Sequence, residues 1–162
     1  MKKLLLLSAL FIFACSSDDG NDNTNLFRNI YSNTFWTSEG GLITFSPDKL
    51  YYEYFPQDGD GCGFLEEGSF ENLLVDDCFF ENVTYSVINE DSNMLSIIGV
   101  YSGGSADNNS NPCVDRQENI IFQIINDNVL EVTVNDEGFN ETYTFLRSNN
   151  TFSTSDCNFI WY

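Results

Sequence analysis

Short runs of alternating hydrophobic and polar residues, separated by turn-forming residues, dominate the chain. In residues 129–134, Leu130, Val132 and Val134 alternate with polar neighbours, which is typical of a β-strand with one buried face. No stretch beyond residue 15 keeps the apolar period of about 3.6 residues that marks an amphipathic helix. The pattern therefore predicts an all-β domain.

Four short polar segments predict hairpin turns between strands that follow one another in the chain. They lie at residues 46–49, with Pro47 at the second position of a type I turn, and at 89–93, 126–128 and 135–138. Hairpins in succession indicate an antiparallel up-and-down meander of about nine or ten short strands. We expect a small β-barrel, with a β-sandwich as the alternative.

The N-terminus has the layout of a secretory signal peptide. Lys2 and Lys3 precede an apolar run of eleven residues at 4–14, which ends directly before Cys15. This run is shorter than the roughly 20 apolar residues of a membrane-spanning helix. The residues Ile-Phe-Ala-Cys at 12–15 resemble the lipobox of bacterial lipoproteins. The resemblance implies that residues 1–14 are removed and that Cys15 becomes a lipid-modified N-terminus.

The residues that follow predict a location and a domain boundary. Residues 15–29 are expected to be the lipidated cysteine and a disordered tether, because this stretch is rich in Ser, Asp, Asn, Gly and Thr. The Ser-Ser-Asp-Asp run at 16–19 resembles the signal that sends some Gram-negative lipoproteins to the outer membrane. We therefore expect an outer-membrane protein exposed at the cell surface, with the periplasmic face as the alternative. Residues 30–162 are long enough for one domain.

The charge balance narrows the range of partners. Once Lys2 and Lys3 leave with the signal peptide, four basic residues face 25 acidic ones, so the formal charge is −21. Nucleic acid is excluded as a partner, because its binding relies on Lys and Arg. An anionic membrane surface is equally unfavourable, so the lipid at Cys15 must provide the membrane contact. We interpret the acidity mainly as a source of solubility, with calcium in acidic loops as the alternative.

Four cysteines remain besides Cys15, and they suit disulfides in an oxidising compartment. Cys62, Cys78, Cys113 and Cys157 allow three pairings, among which we expect Cys62–Cys78 and Cys113–Cys157. Zinc is disfavoured because the sequence has no CxxC pair and no histidine.

The sequence also argues against an enzyme and against a bound metal or other cofactor. Without histidine, neither a Ser-His-Asp arrangement nor a histidine-bound metal is possible. Glu53, Glu66 and Glu67 are candidates for a paired-carboxylate glycosidase, but we interpret them as solvated strand residues. Residues 58–63 begin like a calcium loop, yet Cys62 stands where a ligand oxygen is needed, so a tight turn is expected.

A resemblance to a known family rests on two short motifs behind the lipobox. Thr34-Phe35-Trp36 opens the domain, and Phe-Ser-Pro-Asp-Lys at 45–49 forms its first hairpin. Together they resemble the lipocalin-like domains of Gram-negative lipoproteins. Lipocalins carry Gly-x-Trp in the first strand and a late basic residue packed over the tryptophan. Trp36 and Arg147 take these places, with Thr34 where the glycine would stand, and the resemblance implies a cation–π contact between them.

The resemblance implies a barrel that holds a small apolar ligand. Strand alternation suggests which aromatic and aliphatic residues line its interior; they are Trp36, Phe45, Tyr52, Tyr54, Tyr85, Ile97, Phe122 and Tyr143. The alternative is a filled core in a surface protein that recognises a glycan or another protein through exposed tyrosines at 51–55 and acidic loops. The long segment 102–117 is expected to be either an inserted loop or a lid at the barrel rim.

Overall fold

One continuous, curled β-sheet makes up most of the fold, which confirms the all-β prediction. The computed structural model describes residues 25–39, 41–55, 61–75, 78–106, 113–136, 138–157 and 159–160. Its strands are β1 (Phe35–Ser38), β2 (Gly41–Ser46), β3 (Lys49–Phe55), β4 (Gly61–Leu65), β5 (Gly68–Val75), β6 (Cys78–Glu90), β7 (Met94–Ser102), β8 (Ser105–Ala106), β9 (Arg116–Asn126), β10 (Val129–Asp136), β11 (Phe139–Ser148) and β12 (Phe159–Ile160).

Helical structure in the described residues is limited to two short elements. They are α1 (Phe27–Ile30) and a single 3-10 turn at Thr154–Asp156. Among the described residues, no helix is long and apolar enough to cross a membrane.

The sheet is an up-and-down antiparallel meander that curls into a barrel. Its strand order is β12-β4-β3-β2-β1-β11-β10-β9-β7-β6-β5, with β8 paired to β6. The pairing of β1 with β11 joins the first strand to the last long one and places Trp36 opposite Arg147. β4 and β5 lie far apart along this order although only residues 66–67 separate them in the chain. β4 and β5 are not paired with each other in the described sheet, which is therefore a curled half-barrel that is open between them.

All four predicted hairpin turns are present. The turns at 46–49, 89–93, 126–128 and 135–138 connect β2 to β3, β6 to β7, β9 to β10 and β10 to β11. In the second turn the carboxylate of Asp91 accepts hydrogen bonds from the backbone amides of Asn93 and Met94, at 2.7 and 2.9 Å. Aspartate favours turns for this reason, since its side chain replaces a missing backbone acceptor.

Helix α1 covers the end of the barrel at which β6 gives way to β7. Phe27 is fully buried, and its ring centre lies 4.8 Å from those of Phe45 and Tyr31. Arg28 fixes the helix by donating to the Glu90 carboxylate at the end of β6, at 2.8 Å. Helix α1 therefore begins within the last residues of the predicted tether at 15–29, because Phe27 is buried and Arg28 is bound to Glu90.

The two disulfides join Cys62 to Cys157 and Cys78 to Cys113, so the expected pairing is wrong. β12 pairs in parallel with β4, the strand that carries Cys62, and Cys157 comes just before β12. β8 pairs with the first residues of β6, where Cys78 lies, which holds the segment containing Cys113 beside it. Both pairings follow from strand contacts that are too short to stand out in the sequence.

The interior of the barrel is densely filled over most of its length. A single cluster of buried side chains runs from α1 through both halves of the sheet. Its largest fully buried members are Trp36, Tyr101, Phe27, Phe45, Phe80 and Phe122.

Candidate functional site

A cavity of about 390 Å³ lies in the barrel at the end opposite to α1. At this end β1 finishes at Ser38, β2 starts at Gly41 and β3 finishes at Phe55, and all three residues line the cavity. The walls come from β1, β2, β3, β9, β10 and β11 and the residue after β1. The lining residues are Ser38, Glu39, Gly41, Ile43, Tyr51, Glu53, Phe55, Ile120, Phe122, Val132, Val134, Tyr143 and Phe145.

Strand alternation explains why these side chains face the cavity. On β3, Tyr51, Glu53 and Phe55 are two residues apart and therefore share the inner face. β9, β10 and β11 contribute alternate residues in the same way. At Gly41 a β-carbon would lie 3.2 Å from the Phe55 ring, so the glycine leaves room for this ring at the cavity wall.

Glu53 is the most deeply placed acid of the cavity. Burial raises the pKa of its carboxyl group from the usual 4.5 to about 7, because a charged carboxylate is poorly stabilised among apolar side chains. Glu39 also lines the cavity but is exposed. The cavity therefore has one acid at its mouth and one between its apolar walls, and the inner one changes its charge near neutral pH.

Tyr51 lines the cavity and interacts electrostatically with a group of polar residues within the barrel. Its ring centre lies 5.2 Å from that of Phe122, another lining residue. Burial raises the pKa of the Tyr51 hydroxyl well above 10, and the charges of Glu53, Tyr85 and Glu118 raise it further. Tyr51 therefore stays neutral, and its hydroxyl is available only as a neutral hydrogen-bonding group.

The polar chain consists of Tyr85, Tyr101 and Glu118. The two tyrosine hydroxyls are hydrogen-bonded to each other, and Tyr101 donates to the Glu118 carboxylate. Burial is the main cause of the raised pKa of both tyrosines. Gly99 makes this arrangement possible, since a β-carbon there would lie 2.8 Å from the Tyr85 ring and 2.9 Å from a Glu118 oxygen.

Arg116 lies at the end of this polar chain. Its guanidinium carbon is 4.8 Å from the ring centre of Tyr101 and 5.7 Å from that of Phe80. It also forms an ion pair with Asp136 at 3.7 Å. This geometry is a cation–π contact, and Arg116 is not among the residues that line the cavity.

All four basic residues of 25–162 lie in the described part of the chain, and none of them lines the cavity. Each has a partner elsewhere: Arg28 pairs with Glu90, Lys49 with Glu66 and Arg116 with Asp136, and Arg147 donates to the backbone oxygen of Asp127.

Two of the eight predicted lining residues, Phe122 and Tyr143, line the cavity. Four more of the eight are buried in the main core instead; they are Trp36, Phe45, Tyr85 and Ile97. Tyr51, Glu53 and Phe55 line the cavity but were not among the predicted lining residues. A glutamate between aromatic residues on one strand was the signal, but it was attributed to a solvent-facing side.

Tyr52 and Tyr54 point to the outer face of β3, so their assignment to the interior is wrong. They form a second apolar cluster with Phe64, Phe152 and the disulfide-bonded Cys62 and Cys157. The ring of Phe152 stacks on that of Tyr54, at 5.5 Å between centres and 22° between planes. The strand is apolar on both faces because the segment after β11 covers its outer side, and alternation alone does not distinguish two apolar faces.

The expected contact between Arg147 and Trp36 is also not formed. The two residues are opposite each other in the register of β1 and β11. Arg147 is exposed, however, and its guanidinium donates to Asp127 at 3.4 Å, while the neighbour of the fully buried Trp36 ring is Tyr31 at 6.2 Å. Among the described residues, the cations that lie over aromatic rings are Arg116, over Tyr101, and Lys49, over Phe64.

The candidate carboxylates do not converge on the cavity. Glu66 pairs with Lys49, and Glu67 accepts a hydrogen bond from the backbone of Val87 and lies 3.7 Å from Arg28, near α1. Only Glu53 of the three lines the cavity. Within the described residues, no three acids or cysteines are placed to hold a metal ion. Residues 58–60 of the suspected calcium loop lie outside the described residues.

The segment 102–117 contributes no described residue to the cavity lining. Instead, Gly103 donates a backbone hydrogen bond to Asp115 at 2.8 Å, and the segment is held to β6 by β8 and by Cys113.

Searches against protein-family models, curated proteins and solved structures find no match to this chain.

Proposed function

We propose that the protein is a binding module that holds a small, largely apolar ligand in the interior cavity and performs no catalysis. The observation that carries this proposal is the lining itself. Ile43, Phe55, Phe122, Val132 and Phe145 provide apolar surface, and few polar groups accompany them. Small-molecule sites typically combine apolar walls with a few fixed polar groups in a volume of about 300–1,000 Å³.

The rest of the barrel supports this role. Helix α1 covers one end of the barrel, and the cavity lies at the other end, where β1 and β3 finish and β2 starts. The aromatic cluster that contains Phe27 and Phe45 is buried between α1 and the cavity. A preformed cavity reduces the conformational entropy that a ligand must overcome on binding.

We further propose that the protein is a lipoprotein of the outer membrane, exposed at the cell surface. The lipobox-like residues 12–15 support this location, and the two disulfides support an oxidising compartment. The lipid on Cys15 would be the membrane contact. Nine residues separate Cys15 from Asn25, so the anchor lies at most about 35 Å along the chain from the folded domain.

The alternative of a surface that recognises a glycan or a protein through the tyrosines of 51–55 receives no support from their positions. Tyr52 is buried, Tyr54 stacks against Phe152, and Tyr51 faces the cavity. Pyranose rings stack on exposed aromatic faces, and β3 presents none of these three rings in that way.

The test is native mass spectrometry of the mature protein purified from an oxidising compartment. We expect a retained or added small molecule at one equivalent, and a protein mass four hydrogens below that of the fully reduced chain. A protein that neither retains nor takes up any apolar compound would contradict the binding proposal. The Cys15→Ser variant tests the anchor separately, because its measured mass should lack the lipid that the wild type carries.

A further inference from the structure

We infer that the ligand is an amphiphilic cation, in which a protonated amine is attached to an apolar body and the carboxylate of Glu53 is its counter-charge. This inference rests on the proposed binding function and specifies the chemistry of the ligand. It is carried by the distribution of charge around the cavity.

The charged groups at the cavity are all acidic. Glu53 on β3 and Glu39 after β1 line it, and no basic side chain does. The remaining polar lining groups are the side chains of Ser38, Tyr51 and Tyr143. A ligand with a positive group would therefore find a counter-charge inside the cavity, whereas a negative group would meet carboxylates.

The described residues place no basic side chain in the cavity lining. All four basic residues of 25–162 are described, and none of them is among the lining residues. Arg116 is the one that enters the barrel, and it is held over the Tyr101 ring and against Asp136. An anionic head group such as a fatty acid carboxylate would enter the cavity without a partner, which is strongly unfavourable in an apolar site.

Glu39 and Glu53 differ in their exposure to solvent, and they would therefore act differently on a ligand. Glu39 is exposed, so water screens its charge, and it would act mainly at the mouth. Glu53 lies between Tyr51 and Phe55 on the inner face of β3, where a charge pair is less screened. The formal charge of −21 on residues 15–162 would also raise the local concentration of cationic ligands.

The ionisation of Glu53 gives the inference a measurable signature. In the free protein its pKa is about 7, and a bound ammonium group would stabilise the carboxylate. Binding near or below neutral pH would therefore release a proton. The titratable groups that face Glu53 or its neighbours are Glu39, Tyr51 and Tyr143, together with Tyr85 and Glu118 through Tyr51 and Glu141 through Tyr143. The raised pKa values of Tyr51 and Tyr143 keep both neutral in this range.

The volume limits the size of the ligand. A liquid water molecule occupies about 30 Å³, so a cavity of this size accommodates on the order of ten non-hydrogen atoms. Octylamine, 1-octanol and octanoate are matched probes of suitable length, because they share one apolar chain and differ in charge.

The experiment is isothermal titration calorimetry of the mature protein with these three probes at pH 7.5. We expect octylamine to bind at least about tenfold more tightly than 1-octanol, and octanoate to bind most weakly, because hydrogen bonds to charged groups in desolvated sites are the stronger ones. Titrations of octylamine in buffers of different ionisation enthalpy at pH 6.5 should reveal proton release.

Two variants connect the effect to Glu53. Glu53→Gln should remove the preference for octylamine over 1-octanol and abolish proton release, while 1-octanol still binds. Glu71→Gln makes the same charge change at an exposed position on β5 and should leave all three affinities unchanged. The inference is overturned if octanoate or 1-octanol binds as tightly as octylamine, or if Glu53→Gln keeps the preference. If none of the probes binds, the proposed function itself fails.

Discussion

Cys62 and Cys157 are joined across 95 residues of sequence, and their Cα atoms lie 4.5 Å apart. This bond holds the segment after β11 against the outer face of β3 and β4, where Phe152 covers Tyr54. The outer face of β3 thereby becomes a second apolar layer, while the inner face of the same strand lines the cavity. The C-terminal disulfide therefore supports the cavity wall from behind.

Removing this disulfide should destabilise the domain. We expect the double variant Cys62→Ala/Cys157→Ala to lose about 3–5 kcal/mol of unfolding free energy, because the bond restricts a long loop in the unfolded chain. Urea denaturation monitored by tryptophan fluorescence measures this loss. Cys78→Ala/Cys113→Ala is the matched control, and its shorter loop of 35 residues predicts a smaller loss. Peptide mapping that finds Cys62 bonded to Cys78 would refute the pairing.

Gly99 is required where Tyr85 and Glu118 approach each other across neighbouring strands. We expect Gly99→Ala to lower the unfolding free energy by about 1–3 kcal/mol, since the added methyl group must displace a buried ring or a hydrogen-bonded carboxylate. Thermal and urea denaturation measure the change. Wild-type stability in this variant would show that the polar chain of Tyr85, Tyr101 and Glu118 is not packed as described.

The burial of Glu53 predicts a specific pH dependence of stability. Between pH 4.5 and about 7 the folded protein retains a proton that the unfolded chain has lost, so the unfolding free energy falls as the pH rises through this range. The full effect corresponds to about 3 kcal/mol. Urea denaturation from pH 4.5 to 8 should show this fall in the wild type and a flatter profile in Glu53→Gln. Parallel profiles would mean that Glu53 is solvated.

Phe27 closes the barrel end opposite to the cavity. We expect Phe27→Ala to reduce the unfolding free energy by about 3–5 kcal/mol, because a fully buried ring is removed from the aromatic cluster with Phe45 and Tyr31. Ile30→Ala on the same helix is a suitable control, since Ile30 is 42 % exposed and should cost less than about 1 kcal/mol. Equal losses in the two variants would contradict the capping role of Phe27.

The sequence predicted the strands and hairpins well because both depend on local patterns. Alternation at Leu130, Val132 and Val134 identified β10, and Asp91 and Pro47 marked turns that the structure contains. These signals lie within a few residues of the feature that they predict. The meander follows from such hairpins, since each one fixes the next neighbour in the sheet.

The cavity lining was harder to predict because it depends on contacts between distant parts of the chain. Tyr52 and Tyr54 were assigned to the interior, whereas the structure has Tyr51 and Glu53 there. Both faces of β3 are apolar, and only the segment held by Cys157 decides which one is covered from outside. The sequence does not contain that information in any local pattern, because the pairing of β12 with β4 involves only two residues on each strand.

Binding of 2-naphthol, a small and neutral fluorophore that is mostly apolar, to the wild type and to Val134→Phe tests directly whether the barrel cavity is a ligand site. Val134 lines the cavity, so a larger side chain should occupy part of its volume, whereas Thr133→Phe places the same ring on the opposite face of β10. We expect saturable binding at one equivalent to the wild type and to Thr133→Phe, and a loss of at least about tenfold in affinity in Val134→Phe with its fold retained. Equal binding to all three proteins, or binding to none, would contradict the claim that the barrel cavity is a ligand site.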